Sequence, residues 1–388
     1  MKVKLSEAFD LQMGKTPARS DRTCWGVGHK WISISDIGNA EKYIDTTKEE
    51  ITDEGVSKSG IKVVPKGTVI MSFKLSIGKT AITAEDMYTN EAIMAFINKG
   101  KYEIDTDYLY HMCKGIDWLE GTNKAVLGLT LNKATMSEKT IEIPPMEVQQ
   151  QVVAVLDKME ELIAMRKAQL AKLDQLVKSR FIELFGDPAS NSMHWETQTF
   201  RQASVRLSDG PFGSNLKSEH YVESGIRVIR LGNIGVGRFI NNDQSYISEE
   251  HYERLKKYTC KAGDIVIGTL GEPNLRACLV PDSIEYAINK ADCVHYVPRP
   301  EILDRYFVCQ YINCPETLSL ASGMVHGQTR SRISSGQLAE MPIFIPPLAL
   351  QKQFAAFVKQ TDKSKLAIQQ SLDKLETLKK SLMQEYFG

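Results

Sequence analysis

The segment from Ile143-Pro144-Pro145 to Phe185-Gly186 recurs without a gap as Ile345-Pro346-Pro347 to Phe387-Gly388, every position displaced by 202 (143 to 345, 185 to 387). Each copy opens on an IPP turn and a glutamine-rich start, Gln149-Gln150-Gln151 and Gln351-Lys352-Gln353. Each then runs with no internal Gly or Pro to an aromatic-Gly stop. Gly and Pro are the residues that interrupt helices, so each copy reads as one long helix. A period of this length is too long for a solenoid repeat. The chain is therefore read as two half-molecules, each a globular part followed by a helix: 1–142, 143–186, 187–344 and 345–388. Weaker matches extend upstream of the turns, where Leu131, Met136 and Ile141 correspond to Ile333, Leu338 and Ile343.

Within the first helix, Leu156, Met159, Ile163, Leu170, Leu173, Val177 and Leu184 fall at alternating steps of three and four, in one frame with Val152, Arg166 and Arg180. That is the spacing of a coiled-coil seam. The same frame in the second copy carries Val358, Ile368, Leu372, Leu375 and Leu382 with Phe354 and Tyr386, interrupted by Thr361, Lys365 and Lys379. A helix of ~38 residues would be about 57 Å long and would leave an apolar stripe in water if unpaired. The two stripes are expected to pair, antiparallel in preference to parallel. Capping of each domain by its own helix, or dimerisation through the helices, is the alternative.

Bulk composition limits function without choosing it. The 388 residues carry 48 Lys+Arg against 48 Asp+Glu, which excludes a polyelectrolyte tail. It leaves room for a local basic face. The 42% hydrophobic content suits an ordinary core. No secretory leader and no apolar run of membrane-spanning length is read, and seven cysteines without a C-x-x-C pair read as reduced thiols in a cytoplasmic chain.

The globular parts alternate short apolar runs with Gly, Asp and Asn, which predicts an α+β class: two mixed α/β domains of mostly antiparallel strands in a pseudo-twofold repeat. Trp31 to Ile37 and Arg227 to Ile234 read as matching strands, as do Lys66 to Ser72 and Ala262 to Gly268; Thr106 to Lys114 and Leu303 to Cys314 read as helices. Catalytic signatures fail in turn. Gly14-Lys15-Thr16 and Gly78-Lys79-Thr80 resemble phosphate-loop endings, but the earlier glycine each needs is Phe9 or Phe73. Gly232 to Gly237 has the wrong glycine order for a dinucleotide turn, and the histidines lack zinc spacing. Both Pro-Pro pairs follow isoleucine rather than the Asn or Asp of an amino-methyltransferase motif, and Asp282 and Glu285 lack the lysine of a nuclease cluster. Chemistry on DNA would have to come from another chain.

The chain is instead rich in groups suited to base edges and phosphates at loop and strand-end positions. In the first part these are Lys15, Thr16, Arg19, Arg22, Lys30, Ser33, Ser35, Lys74, Ser76, Lys79, Asn90, Asn132 and Lys133. In the second they are Ser214, Asn215, Lys217, Arg230, Asn233, Asn274, Arg276, Asn289, Lys290, His326, Gln328, Arg330 and Arg332, with the Gly327 to Arg332 run the strongest single candidate.

The paired IPP-x3-Q-x-Q starts, the long helices and their Phe-Gly ends, together with Gly14-Lys-Thr-Pro17 followed by Trp31-Ile-Ser-Ile-Ser-Asp36-Ile37, resemble the specificity subunits of type I restriction-modification systems. The resemblance spans essentially the whole chain. It implies a non-catalytic reader of double-stranded DNA, each globular part a target recognition domain for one half of a bipartite, asymmetric site. The helices would set the spacing. Partner modification subunits would bring S-adenosylmethionine and methylate adenine; partner restriction subunits would bring ATP and Mg. No cofactor and no metal is expected in this chain. A coiled-coil interaction scaffold without a DNA role, or a reader in a related methyltransferase system, is the alternative.

If the paired helices act as a spacer, inserting one heptad after Leu170 and a matching one after Leu372 lengthens them by about 10 Å and keeps the seam. That is roughly three base pairs of extra gap. The variant is expected to fold, and methylation sequencing should find a longer-gapped motif or no binding. Unchanged methylation at the original spacing would show that the helices do not set the gap.

Overall fold

The computed structural model describes residues 1–74, 76–119, 131–322 and 332–388. They form two compact units, Met1–Lys167 with Gln370–Gly388, and Ala168–Gln369, so that each unit holds the start of one long helix and the end of the other.

In the first unit a five-stranded sheet runs Phe9–Met13, Ile93–Asn98, Val69–Ser72, Thr80–Thr83, Tyr43–Ile44, antiparallel except at its last pair. A second sheet sets Trp25–Ile32 between Glu49–Ile51 and Tyr88–Thr89, the latter parallel. The second unit repeats the plan. Ser204–Ser208, Cys293–Pro298, Ile265–Gly268 and Arg276–Leu279 form an antiparallel sheet. A five-stranded sheet holds Ile226–Ile229 between Ser245–Ile247 and the parallel Tyr286–Asn289. In each unit a two-stranded ribbon, Lys2–Lys4 with Thr140–Glu142 or Thr197–Thr199 with Pro342–Phe344, brings the chain to its IPP turn. The mixed α+β class read from the sequence is the class observed. The strands Val69–Ser72 and Ile265–Gly268 are buried at every position, as runs read by their length and apolar content should be.

One expected strand is cut short. Alternation predicts a strand over Trp31 to Ile37, but the strand ends at Ile32 and Ile34–Asn39 is helical. The cause is local: the Asp36 carboxylate accepts from the Ser33 backbone N–H (2.8 Å), closing a capping box. The second unit does the same with an amide, Asn233 accepting from the Arg230 N–H at 2.9 Å ahead of Ile234.

The predicted helices are present as Thr106–Gly115 and Arg305–Asn313, capped by Asp105 and Asp304. Here the reason for the repeated IPP-x3-Q motif becomes visible. Gln149 is fully buried; its amide donates to the carbonyls of Glu103 (3.0 Å) and Pro144 (2.9 Å) and accepts from the Asp105 N–H (2.9 Å). Gln351 does the same with Ile302, Pro346 and Asp304, at 2.9, 2.8 and 2.8 Å. The glutamine ties the first turn of each long helix, Met146–Phe185 or Leu348–Phe387, to the cap of the domain helix before it.

The long helices run antiparallel within each unit. In the first, Lys379 and Lys114 both donate to Glu160, and Lys167 meets Glu376 at 2.9 Å; in the second, Lys365 meets Asp174 at 2.7 Å. Partner numbers fall on one helix as they rise on the other. Burial opposes ionisation of Glu160, but the two lysines outweigh it and hold its pKa down at about 2. None of the named seam residues is exposed: Leu156, Met159, Val177 and Leu372 are buried, while Ile163, Leu170, Leu173, Leu184, Val358, Ile368, Leu375 and Leu382 are half-buried. All seven cysteines are buried and unpaired, and among the described residues no helix is long and apolar enough to cross a membrane.

Replacing Gln149 by Met keeps the volume but strands three buried polar groups, each costing about 1–3 kcal/mol. Gln149→Met, and equally Gln351→Met, is expected to lower the unfolding midpoint by roughly 5–10 °C in calorimetry. Midpoints within a degree of the parent would show that the motif does not fasten the helices.

Candidate nucleic-acid interface

In both units a glycine brings a loop against the end of a parallel strand. A Cβ on Gly14 would overlap the carbonyls of Thr89 and Asn90; on Gly210 it would overlap those of Asn289 and Lys290. Only a residue without a side chain permits that approach. It sets Lys15-Thr16 beside Asn90-Glu91 in the first unit, and the Gly210-Pro211 step beside Asn289-Lys290 in the second. A cleft of about 460 Å³ opens on the first of these loops, lined by Gly14, Lys15, Thr16, Asp21, Lys58 and Glu91 among others.

Cations gather on aromatic rings next to these loops. Arg19 lies 3.9 Å above the Trp25 ring and 5.0 Å from Trp31, with its guanidinium on Glu49. Trp25 and Trp31 pack edge to face at 5.1 Å. In the second unit Arg230 and Lys290 both approach the Tyr221 ring, at 5.9 and 5.6 Å, and Arg230 pairs with Asp243 at 2.9 Å. Glu91 lies on the first loop: burial would raise its pKa, but the hydroxyl of Thr16 and the cations Lys74 and Arg19 bring it below the usual carboxylate range. It stays charged and offsets part of the basic surface.

The residues singled out from sequence divide by what already occupies them. Lys15 donates to the carbonyls of Ser59 (3.0 Å) and Gly60 (3.2 Å) yet remains exposed, and Thr16 bonds Glu91. Lys30 is paired with Glu85, Arg332 with Asp292 and Lys217 with Glu219. Arg22, Ser35, Lys133 and Ser214 are exposed, Lys74 approaches the Phe73 ring, and Lys79 lies close to Gly38. Asn215 holds the Phe212 carbonyl within its own turn.

Five others serve the scaffold. Asn233 is buried and donates to the carbonyls of Ile240 (2.9 Å) and Asp243 (2.8 Å). Asn289 is buried and donates to Cys293 at 2.6 Å. Arg276 donates to four carbonyls, those of Leu231, Ile234, Leu270 and Pro273. Asn132 caps Lys133–Glu138, and Ser33 belongs to the capping box with Asp36. Sequence position marks such groups as polar and loop-borne, and burial with internal partners removes Asn233 and Asn289 from direct contact with a duplex. Gln328 and Arg330 lie outside the described residues. Missed in the sequence were the aromatic supports Trp25 and Tyr221; the glycines around Trp25 were the available signal.

Among the described residues one cluster could suit a cation by residue type, His111 with Asp157 and Glu160. Its groups are engaged: Asp157 accepts from Lys42 (2.9 Å) and His111 (2.7 Å), and Glu160 from Lys114 and Lys379. These contacts fasten the Thr106–Gly115 helix to the long helices.

The family described as type I restriction modification DNA specificity domain matches residues 1–175 and 217–379, and the chain belongs to it. Among curated relatives, the type I restriction enzyme MjaIX specificity subunit of Methanocaldococcus jannaschii is 28% identical over 188 residues, 47% of this chain and 43% of the relative. The chain thus spans less than half of that relative. The MjaVIII specificity subunit of the same organism is 21% identical over 98% of this chain and 90% of its own length. Two solved structures share the fold at 15% identity. One, from work on complex assembly and conformational transition of the type I R-M system, has a TM-score of 0.63 over 100% of this chain and 97% of that one. The other, a type I S subunit from M. genitalium, has a TM-score of 0.53 over 100% and 96%.

If the glycine-set loops meet phosphate, Lys15→Ala and Lys290→Ala should each weaken binding while leaving the preferred sequence unchanged. Each should also reduce the slope of log affinity against log salt by about one. Fluorescence anisotropy across a salt series reads this; unchanged slopes in both would exclude these lysines from the interface.

Proposed function

We propose that this chain is the DNA-recognition subunit of a type I restriction-modification complex, each unit reading one half of a bipartite, asymmetric double-stranded site. The observation that carries the reading is the duplicated glycine-set loop with its cations on aromatic rings, Arg19 on Trp25 and Lys290 with Arg230 on Tyr221, in a member of a DNA specificity family. Phosphate contacts from such loops fix register, and neighbouring side chains read base edges in the major groove.

The chain itself supplies no chemistry in this reading. Modification subunits, carrying S-adenosylmethionine, dock on the long helices and methylate DNA; restriction subunits, using ATP and Mg, join them. Several large apolar side chains on those helices face solvent, Met165 and Leu378 in the first unit and Leu176 and Leu366 in the second. The proposed complex works in the cytoplasm.

Since each unit has its own loops and core, specificity should be separable. Exchanging residues 187–344 for the equivalent part of a relative should change one half of the methylated motif and leave the other, as read by methylation sequencing. A change in both halves together would contradict one unit reading one half-site.

A further inference from the structure

Each unit extrudes one short turn beside its cation and aromatic surface, and the turns differ in chemistry. In the first unit Trp25 and His29 both register with Ile51, so Gly26-Val27-Gly28 is pushed out of the ladder. In the second, Tyr221 and Ile226 both register with Ile247, on its two sides, and the residues between them cross over that strand. The crossing is tight in the same way twice. A Cβ on Gly28 would press into the carbonyl of Ile51, and one on Gly225 into the carbonyl of Ile247. The turns are therefore set in place by close backbone contact rather than left to sway.

At the apex the first unit carries Val27, 97% exposed, and the second carries the exposed pair Glu223-Ser224, of which Glu223 bears the charge. A single exposed valine needs no explanation on an ordinary surface. This one is bracketed by Gly26 and Gly28, and the first of these has a φ of 144°, which other residues rarely adopt. The base of the turn is the Trp25 ring that carries Arg19; in the second unit it is Tyr221, approached by Arg230 and Lys290. Cations at the base can hold phosphates while the apex reaches a groove.

We propose, resting on the DNA-recognition reading above, that these extruded turns are base-reading elements: Val27 packs on the 5-methyl group of a thymine, and Glu223 accepts from the exocyclic amine of a cytosine. Apolar side chains in the major groove distinguish the thymine methyl, and a carboxylate pairs with the cytosine amino donor. A carboxylate near phosphates is unfavourable unless such a donor meets it, so Glu223 selects where Val27 merely fits.

The test uses the full chain co-expressed with the methyltransferase subunits of its own system, bound to a randomised duplex library. Val27→Ser should reduce preference for one T·A pair in one half-site by roughly 5- to 100-fold, with the other half-site unchanged. Glu223→Ala should do the same for a C·G pair in the opposite half-site. Thermal unfolding of each variant checks that it folds; both positions are exposed, so parental midpoints are expected. Base preferences identical to the parent, or a uniform loss of affinity with preferences intact, would overturn the assignment while leaving the recognition reading in place. A parent complex that selects no motif from the library would overturn that reading and the assignment with it.

Discussion

The structure depends on a reciprocal closure of two cores. The core of the first unit is completed by Val152 and Leu156 from the start of one long helix and by Leu382, Met383, Tyr386 and Phe387 from the end of the other. The core of the second is completed by Phe354 from the start of one helix and by Val177, Phe181 and Phe185 from the end of the other. The repeated Phe-Gly stop is thus an anchor: Phe387 packs on Tyr108 at 5.5 Å, and its counterpart Phe185 on Phe307 at 4.9 Å. Burying one such ring is worth about 1.5–3 kcal/mol, so the helix ends stabilise the domains as much as the domains hold the helices.

The two closures use different chemistry at equivalent places. In the second unit Phe181, Phe185, Phe307 and Phe354 form an aromatic cluster with centroids 4.9 to 5.6 Å apart. In the first, the long helices are joined to Thr106–Gly115 by ions: Lys42 bridges Asp107 and Asp157, and Glu160 takes both Lys114 and, from the other long helix, Lys379. His111, fully buried, bonds Asp157, and burial brings its pKa below the ordinary value even against that carboxylate. Ion networks demand exact geometry and satisfied partners, while aromatic packing is less directional. Two units built on a similar plan thus hold equivalent parts of the long helices with different interiors.

Much of this frame was legible because its signals are periodic or punctual. The seam follows from spacing, and the antiparallel arrangement appears in pairs such as Glu160 with Lys379. The IPP-x3-Q repeat was visible as a motif, but its reason was not, since Gln149 acts through carbonyls of Glu103 and Pro144 that no side-chain pattern marks. The polar surface was less legible. Asn233 and Asn289 have the residue type of a base reader and the burial of a scaffold, and only the fold separates the two. Asp36 stands where Asn233 stands: both accept from the backbone N–H three residues before, and only the Asn233 amide also donates, to the carbonyls of Ile240 and Asp243.

If the turns over Ile51 and Ile247 read bases as proposed, a duplicated fold can vary what it reads without moving its supports. The requirements on backbone fall on Gly14, Gly28, Gly210 and Gly225, where added atoms would strike carbonyls. Those on packing fall on buried residues such as Trp31 and Ile247. Val27 and Glu223, both exposed, meet neither requirement. They are free to differ, because a change there costs the fold little and alters the chemistry presented beside Arg19 in one unit and Lys290 in the other. A surface built this way separates stability from specificity residue by residue.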